Sequence, residues 1–448
     1  MLLPSTQAKT LKERDQQAIW HPFTPLPDAD QVISLTKAEG VYLYTSDGRK
    51  ILDAISSWWV NLHGHSHPHI AEAVYKQATT LEHVIFAGFT HEPAVQLAER
   101  LLDTLPSNQD KIFYSDNGST AVEVALKMAF QYWYNQGISK KKVIALNGSY
   151  HGDTFGAMSV GDRSPFTAPF NPYLFEVAFV DFPACQKQDC CGGNSGETSV
   201  CPSVNEVIHS FTALAESGEV AAFIYEPLIQ GASGMRMYAP EILDTMLSVA
   251  RKHNILCIAD EVMTGFGRTG RLFASEYCRE LPDIMCLSKG LTGGTMALGV
   301  TSCTAEVMQP YHSDDLMKTF FHGHSFTANP LACAAANASL DLLLTEDCQA
   351  NMRRIAAKHE KFMEQITAHP AVEAMRCKGV ILAIEVKTGT ETSYFNEVRN
   401  SLYTYFMERN LLLRPLGNVV YILPPYVITN DELDTIYAAI YELLEKVR

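Results

Sequence analysis

The chain is short of positive charge. Its 448 residues carry 35 Lys and Arg against 50 Asp and Glu, a formal charge of −15. No cationic surplus is there to hold a phosphate backbone, so nucleic-acid binding is not expected. Long apolar runs are also missing. No stretch of about eighteen apolar residues occurs, so no membrane span is expected. The opening MLLPSTQAKTLKERDQQ lacks the apolar core of a signal peptide, and a cytoplasmic protein follows as the expectation.

The eleven cysteines include no usual CxxC pair. Cys257, Cys286 and Cys333 lie inside apolar runs and read as small buried hydrophobes in a reducing compartment. Cys185, Cys190, Cys191 and Cys201 cluster in ACQKQDCCGGNSGETSVCPS, whose Gly and Ser content reads as an exposed loop. The turn His63-Gly64-His65-Ser66-His67-Pro68-His69 has four histidines but no acid or thiolate set beside them. No metal is expected at either place. Internal repeats are absent, and the cysteine loop is the one biased tract.

What is present is ample apolar material, 47% of residues, enough for one large domain with a smaller one. Residues 40–45 and 50–54, separated by Asp47-Gly48, read as a hairpin. Helical patterns follow at about 68–80 and 92–104. From about 110, short apolar strands (111–114, 142–146, 220–225, 255–259, 284–287, 298–301) alternate with helical stretches (120–136, 240–253, 329–344). Such alternation implies a mostly parallel sheet covered on both faces. Beyond 345 a helix at 348–368, strands near 376–386, a helix near 392–408, a short strand at 419–423 and a last helix from 430 suggest a small α+β domain. The expected division is an N-terminal segment, 1–60, packing with the small domain, a large domain, 61–340, and a small C-terminal domain, 341–448.

Ligands of parallel sheets sit beyond the carboxyl ends of strands. Asp260 closes one apolar run, and Lys289 closes the next and is followed by Gly290, Gly293 and Gly294. A lysine and an acid leaving buried strands suit a Schiff base to pyridoxal phosphate, with the carboxylate keeping the pyridine nitrogen protonated. Asn117-Gly118-Ser119-Thr120, between a strand and a helix, suits a phosphate. Tyr150, in Tyr150-His151-Gly152-Asp153, can stack on a ring. Glu226 ends a strand and could orient the ring's hydroxyl side or the aspartate's loop. Arg414 could clamp a substrate carboxylate. Taken singly, each has a plain structural reading: a lysine that snorkels, an aspartate that caps a turn, a surface arginine.

Together with SSWW, NGSYHGDTFGAMSVG, EPLIQGASGMRMY, ADEVMTGFGRTG and SKGLTGG, these residues make the chain resemble the class III aminotransferases of fold type I over nearly its whole length. The resemblance is strongest to the branch that converts 8-amino-7-oxononanoate to 7,8-diaminononanoate in biotin biosynthesis. It implies an α/β fold, a large domain with a mostly parallel sheet plus a small α+β domain built from both chain ends. It implies Lys289, Asp260 and Tyr150 as catalytic, and Gly118, Ser119, Glu226 and Ser325 as further cofactor ligands. Trp58, Trp59, Gly323, Arg414 and Tyr421 would join Tyr150 around the substrate. Ser325 would reach the phosphate of a neighbouring subunit, which implies a homodimer with sites at the interface.

Two positions depart from the S-adenosylmethionine-using pattern: Phe23 stands for a tyrosine, and His322-Gly323-His324-Ser325 for His-Gly-Pro-Thr. Both strings also resemble relatives that take the amino group from lysine. S-adenosylmethionine remains the expected donor, on Trp58-Trp59 and His21, with lysine as the alternative. Other ω-amino acid aminotransferases share the Asp–Lys pair but are disfavoured by SSWW and by Tyr150-His151. A scaffold without activity is disfavoured because drift would erase the Lys289, Asp260 and Ser119 combination first.

Overall fold

A computed structural model describes residues 9–25, 32–184, 202–389, 392 and 396–447. The cysteine cluster from Cys185 to Cys201 lies outside the described residues. None of the described helices is long and apolar enough to cross a membrane.

Near the N-terminus, β1 (Leu35–Glu39), β2 (Tyr42–Thr45) and β3 (Lys50–Asp53) form an antiparallel meander. The sequence reading missed β1, because LTKAE is polar, exposed along most of its length and lacks an apolar alternation. Next come β4 (Gln109–Ser115), β5 (Lys142–Leu146), β6 (Ala178–Val180) and β7 (Val220–Tyr225), then the two-residue strands β8 (Ile229–Gln230) and β9 (Arg236–Met237). They are followed by β10 (Leu256–Asp260), β11 (Ile284–Leu287) and β12 (Gly299–Thr304).

The central sheet has the order β4-β12-β11-β10-β7-β5-β6. Every residue of β7, β10, β11 and β12 is buried. Strands covered on both faces need apolar side chains on both, which is why these segments read as continuous runs. β12 pairs antiparallel with both neighbours, and the other pairings are parallel.

The helix Gly118–Asn135 covers one face through Val122, Leu126, Ala129 and Trp133, among others. It starts two residues earlier than the apolar pattern implies. The Asn117 side chain accepts the Thr120 N–H at 3.0 Å while the Thr120 hydroxyl accepts the Asn117 N–H at 2.9 Å, which fixes the first turn.

Towards the C-terminus, β13 (Val372–Lys378) and β14 (Ile381–Val386) form a hairpin. Its turn residue Gly379 has φ 58°, and a Cβ there would lie 2.2 Å from the Thr269 carbonyl carbon, so only glycine lets the hairpin approach the loop at 268–270. β15 (Leu411–Leu412) pairs parallel with β3, and β16 (Val419–Ile422) pairs with β14. The two chain ends therefore share a sheet.

Candidate active site

β5, β7, β10 and β11 are successive parallel neighbours, so their carboxyl ends open on one edge. Tyr150 follows β5, Glu226 follows β7, Asp260 ends β10 and Lys289 follows β11. Asp260 pairs in register with Cys286, three residues before Lys289.

Asp260 is buried, and a buried carboxylate needs partners. Its Oδ1 accepts the Val262 N–H at 3.0 Å, and its Oδ2 lies 2.7 Å from His151 Nδ1. That contact puts the imidazole proton on Nδ1. His151 Nε2 is buried with no hydrogen-bond partner among the described residues. The sequence reading quoted His151 without giving it a role. The rule that would have found it is the one applied to Asp260, that a buried acid needs a donor.

Lys289 has φ 48°, a left-handed conformation that costs a non-glycine residue about 1 kcal/mol or more. Its ammonium lies 4.7 Å from the centroid of the Trp59 ring. Burial brings its pKa down to about 8, against the opposing pull of Asp260 and Glu226 and with the Arg268 charge adding to the fall. About a tenth of the amine is then free at neutral pH.

Glu226 Oε1 accepts the Tyr150 N–H at 3.0 Å and Oε2 accepts the Gly231 N–H at 2.9 Å. Burial pushes its carboxyl up to about 7, against the pull of His151 and of the two N–H groups. The Tyr150 phenol is also raised, by burial first and then by Asp153, while the residue remains 40% exposed.

Gly118 and Ser119 open the helix at the end of β4. The cap takes the Thr120 N–H, so the two N–H groups before it stand at the positive end of the helix. Ser119 Oγ accepts the Thr154 N–H at 3.1 Å and lies 2.7 Å from Thr154 Oγ1. If the threonine hydroxyl donates, the Ser119 proton is left for a ligand. Sequence reasoning missed Thr154. Gly152, at φ 130°, makes this approach possible, since a Cβ would lie 2.3 Å from Ser119 Oγ.

Above this floor runs the strained turn Ser56–Trp59, with φ of 54° at Ser56, 61° at Ser57 and 65° at Trp59. Asp53, fully buried, holds it by accepting the N–H groups of Ile55 (3.1 Å) and Ser57 (2.7 Å) and by pairing with His65 (2.9 Å). Trp59 is buried and its Nε1–H donates to Tyr421 Oη at 2.9 Å. Trp58 is 45% exposed, with Phe23 edge-on at 5.5 Å and the Arg414 guanidinium 5.0 Å above its ring. Phe166 meets Phe23 at 6.0 Å. Among the described residues no carboxylate forms an ion pair with Arg414.

Arg268 was missed as well. It is 1% exposed and donates to the carbonyls of Trp59 (3.3 Å), Asn61 (3.1 Å) and Pro424 (3.0 Å). Burial lowers its pKa. Its signal was the pair of glycines around it, Gly267 and Gly270, both at positive φ.

Gly323 and Ser325 stand apart from these contacts. Both are exposed on the loop that precedes the helix Pro330–Leu343, and no hydrogen bond joins Ser325 to the residues above among the described residues. No group of three or more metal-ligating side chains occurs among the described residues.

The site has the features a phosphorylated aromatic aldehyde needs. They are an amine of low pKa, an orphaned buried nitrogen at His151, a fixed carboxylate, and an open helix start lined by glycines into which a Cβ would not fit. Comparison with known proteins agrees. The model of the aminotransferase class-III family matches residues 26–444. The chain is 47% identical to the adenosylmethionine-8-amino-7-oxononanoate aminotransferase of Synechococcus elongatus, over 96% of this chain and 99% of the relative. It superposes with a TM-score of 0.89 on the crystal structure of the adenosylmethionine-8-amino-7-oxononanoate aminotransferase from Methanocaldococcus jannaschii, at 33% identity, covering 97% of this chain and 98% of the other. An omega transaminase from Pseudomonas jessenii, solved in complex with PMP, superposes at 0.90 with 26% identity, covering 98% of each chain.

Proposed function

Since the chain belongs to the class-III aminotransferases, pyridoxal phosphate enzymes of fold type I, we propose that it transfers an amino group from S-adenosylmethionine to 8-amino-7-oxononanoate, giving 7,8-diaminononanoate in biotin biosynthesis. The observation that carries this reading is the meeting of Lys289, Asp260, Glu226 and Tyr150 at the ends of four adjacent strands.

Bound pyridoxal phosphate supplies the electron sink that allows a C–H bond beside an amine to break heterolytically. Gly118 and Ser119 would hold its phosphate, Tyr150 would cover a ring face, and Lys289 would anchor it covalently. Asp260, kept in place by His151 and the Val262 N–H, would hold the proton on the ring nitrogen. With a pKa near 8, Lys289 Nζ is competent to take a proton from the amine-bearing carbon of the donor. In the other half-reaction it would return one to the keto-bearing carbon of the acceptor. Glu226 fixes the Tyr150 backbone. Arg414 would bind the acceptor's carboxylate in a bidentate pair, and Trp58, Trp59 and Tyr421 would exclude water around its chain.

The active unit in this reading is a homodimer. Ser325 and Gly323, exposed on their loop, would complete the partner's site. Residues 1–60 would join 341–448 in the small domain, a division supported by the β3–β15 pairing, with 61–340 as the large domain.

Phe23 favours one alternative. It offers Trp58 an apolar edge where a tyrosine would offer a hydroxyl, and lysine is then the second candidate donor. The test is amino transfer to 8-amino-7-oxononanoate by the purified enzyme, with the two donors supplied separately. Faster product formation with S-adenosylmethionine is expected. Faster formation with lysine would move the donor assignment, and inactivity with both would move the acceptor.

A further inference from the structure

Two histidines of the string His322-Gly323-His324-Ser325 take no part in the reading above, yet they are the most specifically bonded residues of their loop. Lys127, on the helix Gly118–Asn135, places its Nζ 2.9 Å from His322 Nδ1. His322 Nε2 lies 3.1 Å from His324 Nε2. His324 Nδ1 faces Asp116 Oδ2 at 3.4 Å. Asp116 immediately precedes the Asn117 cap of the same helix.

The bonding chemistry of these groups allows one protonation pattern. An ammonium can only donate, so His322 Nδ1 accepts and its proton is on Nε2. That N–H needs an acceptor, so His324 Nε2 is bare and its proton is on Nδ1. That Nδ1–H faces the Asp116 carboxylate across 3.4 Å, an electrostatic contact rather than an aligned hydrogen bond, and the chain ends there. Each step fixes the next, and a second proton on either ring would set N–H against N–H or against the ammonium.

We propose that His322 and His324 are positioning residues, which bolt the loop carrying Ser325 onto the first turns of the helix Gly118–Asn135 through the one-way chain Lys127 to His322 to His324 to Asp116. The chain holds only while both imidazoles are neutral. This rests on the reading that Gly118 and Ser119 hold the cofactor phosphate. The chain then ties the phosphate-binding helix start of one subunit to the loop that the same subunit offers its partner.

The surroundings suit a neutral ring. Phe113 and Phe320 pack on His322 with centroids at 6.1 and 5.8 Å. The charged or titratable groups that face it are Lys127 and Glu123 from the helix and His324 from the loop. Burial, then Lys127 and His324, hold the His322 ring below the ordinary imidazole range, with Glu123 opposing. His324 meets two titratable groups, His322 through a hydrogen bond and Asp116 through the 3.4 Å charge contact. Since the folded state prefers the unprotonated ring, the stabilisation is present above the ordinary imidazole pKa and is lost as pH falls from there through the lowered pKa of the folded state.

The test uses the full-length enzyme with ¹⁵N-labelled histidine, assigned through His322→Asn and His324→Asn. Nitrogen shifts at about pH 8 should show His322 protonated on Nε2 and His324 on Nδ1, both neutral. A cationic ring or the opposite tautomers would overturn the chain. Affinity of the apoenzyme for pyridoxal phosphate, followed by tryptophan fluorescence, should be about tenfold weaker in His324→Asn at pH 8. The ratio between the wild type and this variant should close towards one as pH falls below the ordinary imidazole range and protonates the rings, where the wild-type chain is itself broken. Taking the ratio removes the cofactor's own titration. A ratio of one at pH 8, or one that stays constant with pH, would overturn the positioning role. Ser119→Ala separates the two readings: if it binds the cofactor as the wild type does, the phosphate assignment fails, while the nitrogen shifts still decide the chain.

Discussion

The floor of the site and its rim are built differently. On the floor, Asp260 and Glu226 are buried, leave parallel strands and accept backbone N–H groups at 2.9–3.0 Å. Their geometry is inherited from the sheet. At the rim, Trp58, Phe23 and Phe166 meet through ring edges at 5.5–6.0 Å, and Arg414 hovers over a ring that is nearly half exposed. Ring-edge contacts are worth about 0.5–1.5 kcal/mol each and tolerate exchange, whereas a misplaced floor group leaves a buried charge without partners. The contrast separates chemistry from choice. Floor changes should damage both half-reactions, and rim changes should alter which substrate is taken.

The largest effect is expected at the floor. Lys289→Ala should lower turnover by about four powers of ten or more with every donor, and the visible absorbance of lysine-bound cofactor should vanish. In the apoenzyme, labelling of Lys289 by an amine reagent, followed by mass spectrometry, should be half-maximal near pH 8. A midpoint in the usual lysine range would break the picture of a desolvated amine. Asp260→Asn should cost about two to three powers of ten in both half-reactions, measured by single-turnover kinetics. Arg414→Ala should instead raise KM for the acceptor about a hundredfold and leave the donor half-reaction close to wild type. Arg414→Lys should recover little, because an ammonium cannot form the two-pronged pair. An equal loss in both half-reactions would move Arg414 to the floor.

Smaller effects follow. The Glu226 pKa is raised in the folded state, so its favourable contribution is complete below the ordinary glutamate pKa near 4.5 and is lost as pH rises through about 7. Thermal unfolding of the apoenzyme across that window should show the decline, and Glu226→Gln should flatten it. Least of all, Phe23→Tyr should change the preference between S-adenosylmethionine and lysine by about tenfold or less, read as a ratio of kcat/KM values.

Residues of both regions could be named from the sequence, but only the arrangement of the floor was legible there, for a physical reason. Asp260 and Lys289 stand at the ends of runs buried on both faces, and such runs are visible as unbroken apolar strings. The reversal of β12 could not be read, because a doubly covered strand carries no mark of its direction. Trp58 and Trp59 are adjacent and were expected to act alike. A left-handed backbone at Ser56, Ser57 and Trp59 sends one to the surface and the other beside Lys289. Two serines and two tryptophans carry no propensity signal for that conformation. Arg268 and Thr154 bind partners 156 and 35 residues away, beyond the reach of any local pattern.

Arg268 also sets a timetable. Its acceptors come from residues 59, 61 and 424, so its bonds close loops of 209, 207 and 156 residues. Contacts so distant in the chain are among the slow events of folding. During synthesis the sheet that bears Asp260 and Lys289 is complete long before residues 421 and 424 leave the ribosome, and until then Arg268 lacks its third acceptor and the Trp59 indole lacks its Tyr421 partner. The floor can therefore exist early, but the surrounding walls must wait for the last part of the chain.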